Sequence, residues 1–315
     1  MNLSGWLIVC LQTVLFVAMA PLFSGWIKWC KSILQNRRPA PLYQPYLDLR
    51  RLFSKRVVWA EHASILFRIA PYLILGATIL AASITPFFST DLPSARVMDA
   101  IALAGLFAFA RFFLALAGMD IGTAFGGMGS SREMTVSAFA EPAMLMMLFT
   151  VSMVASSTNL SVVIHTIETQ MVMTRPSLWF AAMGFLMVIV SECGRIPVDN
   201  PNTHLELTMI HEAMILEYSG RFLAQIELAS QLKLLIYAVL AINIFNPWGL
   251  AHGYGLDRIS IAFLIISGKL MVFGALLAIL ETVLAKMRLF NVPIFLMLAF
   301  TLSLGGMLSF IILEA

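Results

Sequence analysis

"SLWFAAMGFLMVIVSECGRIPVDNPNTHLELTMIHEAMILEYSGR", residues 177–221, changes character at Ser191. Up to Val190 it is almost wholly apolar; beyond it come Glu192, Asp199, Glu206, Glu212 and Glu217 with His204 and His211. The first half suits a helix crossing a bilayer, and a carboxylate-rich segment directly behind it belongs at the membrane edge. The rest of the chain is similarly apolar. Of 315 residues 60% are hydrophobic and 12% charged, against roughly 45–50% apolar and about 25% charged in soluble domains. A bilayer core ~30 Å thick takes about 20 apolar residues per helix. Eight such runs are readable: Leu3–Trp29, Ile65–Phe87, Val97–Gly118, Met134–Ser157, Ser177–Cys193, Phe222–Phe245, Ile259–Leu284 and Val292–Leu313.

The connections are short, so residues 1–315 are expected to form one integral membrane domain: all-α, polytopic, with eight transmembrane helices and no separate catalytic head. The first run lacks a basic leader and a small-residue cleavage site, and reads as a retained helix. Neither a fixed-period repeat nor an inverted pair of broken helices is visible, which disfavours an independent secondary transporter.

Lys and Arg fall unevenly. The first loop carries Lys31, Arg37, Arg38, Arg50, Arg51, Lys55 and Arg56, and loops of the same parity add Arg132, Arg195, Lys286 and Arg288. The opposite side has Arg96, Arg175 and Arg258. Both termini are therefore expected outside, with the basic loops in the cytoplasm. The net charge of +3 reflects this bias and gives no reason to invoke nucleic acid.

Within the first loop, "QNRRPAPLYQPYLDLRRLFSKRVVW" (35–59) contains a helix signal with Tyr46, Leu49, Leu52, Phe53 and Val57 on one face and Asp48, Arg51 and Lys55 on another. Such a helix is expected to lie in the interface plane, as an anchor on anionic lipid or a platform for a soluble partner. In the acidic loop, Pro197 and Pro201 bracket Asp199 and Asn200, so a helix capped there is expected from Pro201 to Tyr218, ending at Gly220. Glu206 and Glu217, eleven apart, would share one of its faces.

Cys10, Cys30 and Cys193 are not spaced like iron–sulfur or zinc ligands, and His211-Glu212 does not extend to HExxH. This chain is expected to bind no metal, leaving any redox centre to partner subunits. Arg111, Glu141, Glu227, Lys233, Lys269 and Glu281 lie within predicted spans. Each costs about 2.5–3.5 kcal/mol at a helix centre, so the set implies a polar interior. Blander readings exist: Lys269 snorkels, Glu281 pairs with Lys286 or Arg288, and Glu227 pairs with Gln231. Pro142, after Glu141, kinks its helix and frees a carbonyl near the carboxylate.

"RIPVDNPNTHLELTMIHEAMILEYSGR" resembles the loop between the fifth and sixth helices of the complex I subunit 1 family. Glu192, Arg195, Pro197, Asp199, Pro201, Glu206 and Glu217-Tyr218-Ser219-Gly220 carry the likeness. Three extra residues, with Asn202 and His204 in place of acids, resemble the membrane-bound nickel–iron hydrogenase and formate hydrogenlyase branch. "NRRPAPLYQPYLDLRRLFSKR", "GSSREMTVSAFAEPAML" and "ETVLAKMRLF" resemble further family segments in order. The resemblance implies an anchor for a peripheral arm of hydrogenase-like small and large subunits and an iron–sulfur subunit, beside antiporter-like membrane subunits. The nickel–iron site and iron–sulfur clusters would sit in those partners.

No catalytic residue is expected in this chain. An ion-coupling path for protons or sodium would use Glu141, Glu192, Asp199, Glu206, Glu212, Glu217, Glu227, Lys233, Lys269 and Glu281. Arg37, Arg38, Asp48, Arg51, Arg132 and Arg195 would secure the docked arm. A quinone chamber near Tyr43 and Tyr46 is the second reading and a purely structural scaffold the third. The expected orientation has a direct check. With the three cysteines replaced, a membrane-impermeant thiol reagent applied to whole cells should label a cysteine at position 175 and spare one at position 37.

Overall fold

Three helices begin on a side chain that accepts a backbone proton, the usual remedy for unpaired N–H groups at a helix start. In the computed structural model Ser64 caps α3 (Ile65–Ile84), Asp99 caps α4 (Ala100–Asp120) and Thr123 caps α5 (Ala124–Ala155). Proline in the first turn opens α7 (Pro176–Glu192) and α11 (Val292–Ser309), where its missing N–H costs nothing. The other helices are α1 (Leu3–Leu34), α2 (Gln44–Ser54), α6 (Leu160–Thr169), α8 (His211–Ile215), α9 (Gly220–Phe245) and α10 (Leu256–Val283). The structure describes residues 3–58, 63–90, 99–169, 175–199, 209–251 and 256–314. Among them there are helices, turns and isolated bridges but no strand.

Among the described residues seven helices are long and apolar enough to cross a membrane: α1, α3, α4, α5, α9, α10 and α11 with its flanking turns. The expected fifth span, Ser177–Cys193, is α7, whose 17 residues measure ~25 Å at 1.5 Å each, short of a ~30 Å core. It stops at a turn in which Gly194 takes φ +56°. Two further expectations need correction. The fourth span starts at Ala124 rather than Met134, and α6 is an additional helix between the fourth and fifth apolar runs.

The loop helix expected over 201–218 falls largely outside the described residues. In its described part only the short α8 is helical, and Gly220 opens α9 instead of closing a loop helix. Asp199 accepts from the backbone N–H of Ile210 at 3.2 Å and His211 at 3.3 Å, at the start of α8; the helix start expected at Pro201 lies outside the described residues.

α9 is the central helix. Every residue from Leu234 to Ile244 is buried, as expected of a helix that is apolar all round. α1, α3 and α7 pack around it; α1 also meets α10, and α11 packs on α7 and α5. Small residues permit the α7–α11 approach: a Cβ at Gly306 would lie 2.9 Å from the Ser177 carbonyl, and one at Gly184 would strike Ser303. α2 lies across α1 and α9 with Pro45 and Leu49 buried and the Tyr46 hydroxyl donating to the Ala18 carbonyl. Its expected apolar face is only partly covered, since Tyr46 and Phe53 stay exposed and Val57 lies beyond the helix end.

Gly220 holds φ +55°, and an added Cβ would lie 2.9 Å from the carbonyl oxygens of Lys55 and Arg56. The left-handed backbone alone costs about 1–2 kcal/mol for other residues. Gly220→Ala should therefore lower the thermal unfolding midpoint of the purified chain in detergent by several degrees.

Candidate functional site

α4 places Arg111 inside the bundle, where its side chain is 4% exposed. A guanidinium does not deprotonate in proteins, so its burial requires counter-charge. α5 supplies Glu133, Ser137 and Glu141, one turn apart along one face. Glu133 lies 3.4 Å from Arg111 Nε, and Glu141 Oε1 lies 3.4 Å from Nη1 while accepting from Ser137 Oγ at 2.6 Å. Glu192, the last residue of α7, contacts Arg111 Nη2 and lies 2.8 Å from Lys233 Nζ of α9. The Lys233 ammonium is 5.9 Å from the ring centres of both Phe107 and Tyr237, within cation–π range. Three carboxylates thus meet two cations. One net negative charge remains when all five are ionised.

A second group ties helices to the acidic loop. Glu281 of α10 takes Lys31 of α1 at 2.9 Å and Arg195 at 3.1 Å. Lys286 lies 3.2 Å from Asp199, the Met287 N–H donates to Pro197 at 2.9 Å, and Arg132 donates to the Met209 carbonyl at 2.8 Å. Tyr218 stacks on Phe67 and donates to its carbonyl at 3.0 Å. Both ends of the loop are therefore fixed to the bundle.

Small cavities border the two groups. One of about 50 Å³ is lined by Arg111, Glu133, Glu192, His211 and Lys233. Another of about 70 Å³ adjoins Glu141, Arg111 and Tyr237. A third, about 210 Å³, has Lys28, Arg195, Asp199, His211, Glu212 and Glu227 in its wall. His211 borders the first and the third. Glu192 Oε1 is buried and makes no hydrogen bond among the described residues. Each of these three spaces exceeds the roughly 10–15 Å³ that one water needs.

The sequence-derived sites divide accordingly. Glu141, Glu192 and Lys233 meet at Arg111; Asp199 and Glu281 join the loop clasp; Glu212 and Glu227 line the third cavity. Glu217 is exposed, and Glu206 lies outside the described residues. Lys269 stands apart at the far end of α9, donating to the carbonyls of Asn246 and Trp248. Of the expected docking residues, Arg37, Arg38 and Arg51 are exposed, Asp48 accepts from Gln44 at 2.9 Å, and Arg132 and Arg195 are engaged internally. Glu281 pairs with Lys31 and Arg195, not with Lys286 or Arg288. Sequence reasoning missed Glu133 because its predicted span began one residue later; the four-residue ladder to Ser137 and Glu141 was the available signal. No three His, Cys, Asp or Glu side chains among the described residues converge as a metal site.

Comparison with known proteins bears on the same constellation. The family model described as NADH dehydrogenase matches residues 6–311. The chain belongs to this family, the complex I subunit 1 family. It is 30% identical over 283 residues to formate hydrogenlyase subunit 4 of Escherichia coli K12, covering 90% of this chain and 91% of that one. Hydrogenase-4 component C of the same organism is 31% identical over 280 residues, covering 88% and 87%. A subunit of the NADH-quinone oxidoreductase of Bacteroides fragilis is 25% identical over 247 residues, covering 73% and 65%. A chain of the archaeal membrane-bound sulfane sulfur reductase superposes with a TM-score of 0.81 at 16% identity, over 97% of this chain and 99% of that one, and shares the fold. In this family member, then, the buried charges sit within a polytopic helical membrane fold.

His211 gives the site a pH signature. Burial pushes its pKa below the usual 6.5, while Glu133 and Asp199 raise it and Lys233 and Arg111 lower it. The folded state then binds the proton less readily than the unfolded one, so its stabilising contribution is complete above about pH 6.5 and falls away as the pH drops. Thermal stability of the purified chain should decline between about pH 7.5 and about pH 5.5, and His211→Asn should flatten that decline.

Proposed function

We propose that this chain is the membrane-anchoring and energy-coupling subunit of a hydrogenase or formate-hydrogenlyase-type complex in the cytoplasmic membrane. In this reading it docks a peripheral arm of hydrogenase-like small and large subunits with an iron–sulfur subunit, and it adjoins antiporter-like membrane subunits. The names of its two relatives at 30% and 31% identity support the assignment to that kind of complex. The observation that carries the coupling role is the buried cluster of Arg111, Lys233, Glu133, Glu141 and Glu192.

A scaffold has no need of an uncompensated negative charge in a low-dielectric interior. A site that takes up and passes on a proton does, because one proton makes the cluster neutral. Arrival of charge at the docked arm would be felt first at Asp199, Glu212 and Glu227, around the cavity of about 210 Å³. His211 and Glu192 lie between that cavity and Arg111. Glu141, whose side chain is 40% exposed midway along α5, is the natural exit. A carboxylate in lipid is costly, so a neighbouring membrane subunit would cover it and receive the proton. The exposed Arg37, Arg38 and Arg51 stand on the face assigned to the arm.

The cavity of about 210 Å³ is smaller than the roughly 300–1,000 Å³ typical of small-molecule sites. That supports a path for water and protons over a quinone chamber. The decisive experiment uses the intact complex in sealed liposomes, with hydrogen evolution driven by a low-potential donor and internal pH followed by a dye. Glu192→Gln and Glu141→Gln should each lower the protons moved per hydrogen evolved. An unchanged ratio in both variants would sink the coupling role.

A further inference from the structure

α8 has five residues, yet its inward face is seated in a slot. Ala213 and Met214 are buried there, and glycines make the room: a Cβ at Gly129 of α5 would lie 2.8 Å from that of Ala213, and one at Gly118 of α4 would lie 3.1 Å from that of Met214. Asp199 accepts the backbone N–H of His211 at 3.3 Å. His211 is thereby fixed in the wall of two spaces, the cavity of about 50 Å³ at Arg111 and the cavity of about 210 Å³ beside the acidic loop. Among the described residues Cys193, Ile226 and Ser230 alone share that position. The four differ in what they do with a proton. Ile226 has none to exchange, and a serine hydroxyl stays protonated. A thiol releases its proton at about pH 8.5 and takes up no second one, whereas imidazole gains and loses one near neutrality and has two nitrogens for the purpose.

We infer that His211 is the relay residue through which a proton passes from the larger cavity to the buried cluster. The inference rests on the coupling role proposed for the chain and names its entry step. One ring nitrogen accepts a proton from water in the larger cavity, and the other gives up its own across the smaller one to the Glu192 carboxylate. The ring ends neutral and the carboxylate protonated. Glu192 suits the acceptor's part, since its Oε1 is buried and makes no hydrogen bond among the described residues. Burial holds the imidazole pKa below 6.5, so the ring is neutral at rest and free to accept. The charges around it tolerate a short-lived imidazolium. On the cluster side are Arg111, Lys233, Glu133 and Glu192. On the loop side are Lys28, Arg195, Asp199, Glu212 and Glu227. Five carboxylates thus face the ring against four cations, a balance that favours a passing positive charge.

The test uses the intact complex in sealed liposomes, with hydrogen evolution and internal pH followed together. His211→Gln should slow proton movement about a hundredfold near neutral pH, the lower end of what a positioned acid–base group contributes. In His211→Ala, added imidazole should restore much of the movement, and pyrazole, of the same shape but a far weaker base, should not. Cys193→Ser and Ser230→Ala should move protons as the unaltered chain does. Restoration by both compounds alike, or by neither, would make His211 a space-filling residue and overturn the relay. So would undiminished proton movement in His211→Gln, the mark of a water chain that bypasses the ring. Glu192→Gln measured alongside separates the two levels. If it lowers the protons moved per hydrogen evolved while His211→Gln does not, the relay alone falls. If neither it nor Glu141→Gln changes that ratio, the coupling role falls and the relay with it.

Discussion

A permanently charged guanidinium below the membrane surface is the constraint on which the bundle depends. Arg111 cannot shed its proton, and leaving it or any of its partners alone would cost about 3–5 kcal/mol, as breaking a buried ion pair does. Its partners come from α5 and α7, and Glu192 passes the constraint to Lys233 on α9. Four helices are thus held in register by charge as well as by apolar packing. The brevity of α7 follows: its last residue must reach Arg111 and Lys233, so the helix stops there and the chain turns at Gly194.

The described ends of the acidic loop on either side of residues 200–208 both lie against the bundle. Asp199 is held by Lys286 from the α10–α11 connection and by the backbone at the start of α8. Farther on, Tyr218 fixes the loop to α3, and Ser219 exchanges hydrogen bonds with Val58 beyond α2. A change in charge at the loop therefore has contiguous routes into α3, α5 and α10.

Much of this is legible in the residues. Apolar runs locate the long helices to within about five positions, apart from the start of α5, which lies at Ala124 and not Met134, and Asp48, Arg51 and Leu49 mark α2. Arg111, Glu141, Lys233 and Glu281 stand out as ions among hydrocarbon. Their pairing does not, because Lys31 and Glu281 are separated by 250 residues and Arg195 and Glu281 by 86. Nothing local distinguishes Lys31 from the other basic residues of its loop. Asp199 also accepts from the backbone at the start of α8, eleven and twelve residues on, a contact that its flanking prolines do not announce. Gly220 announces a helix end, and the structure uses its left-handed backbone to enter one.

The order of these charges along the chain bears on how the protein enters a membrane during synthesis. Arg111 emerges in α4, and α5, with Glu133 and Glu141, follows after a connection of only a few residues. Inserted together as a helical hairpin, the two need never expose the guanidinium to lipid. Glu192 and Lys233 come later, each arriving where an opposite charge already waits. Lys31 has no such early companion, since Glu281 belongs to α10. It must remain in the aqueous layer until almost the whole polypeptide has been made, so that the first helix is locked in place by one of the last.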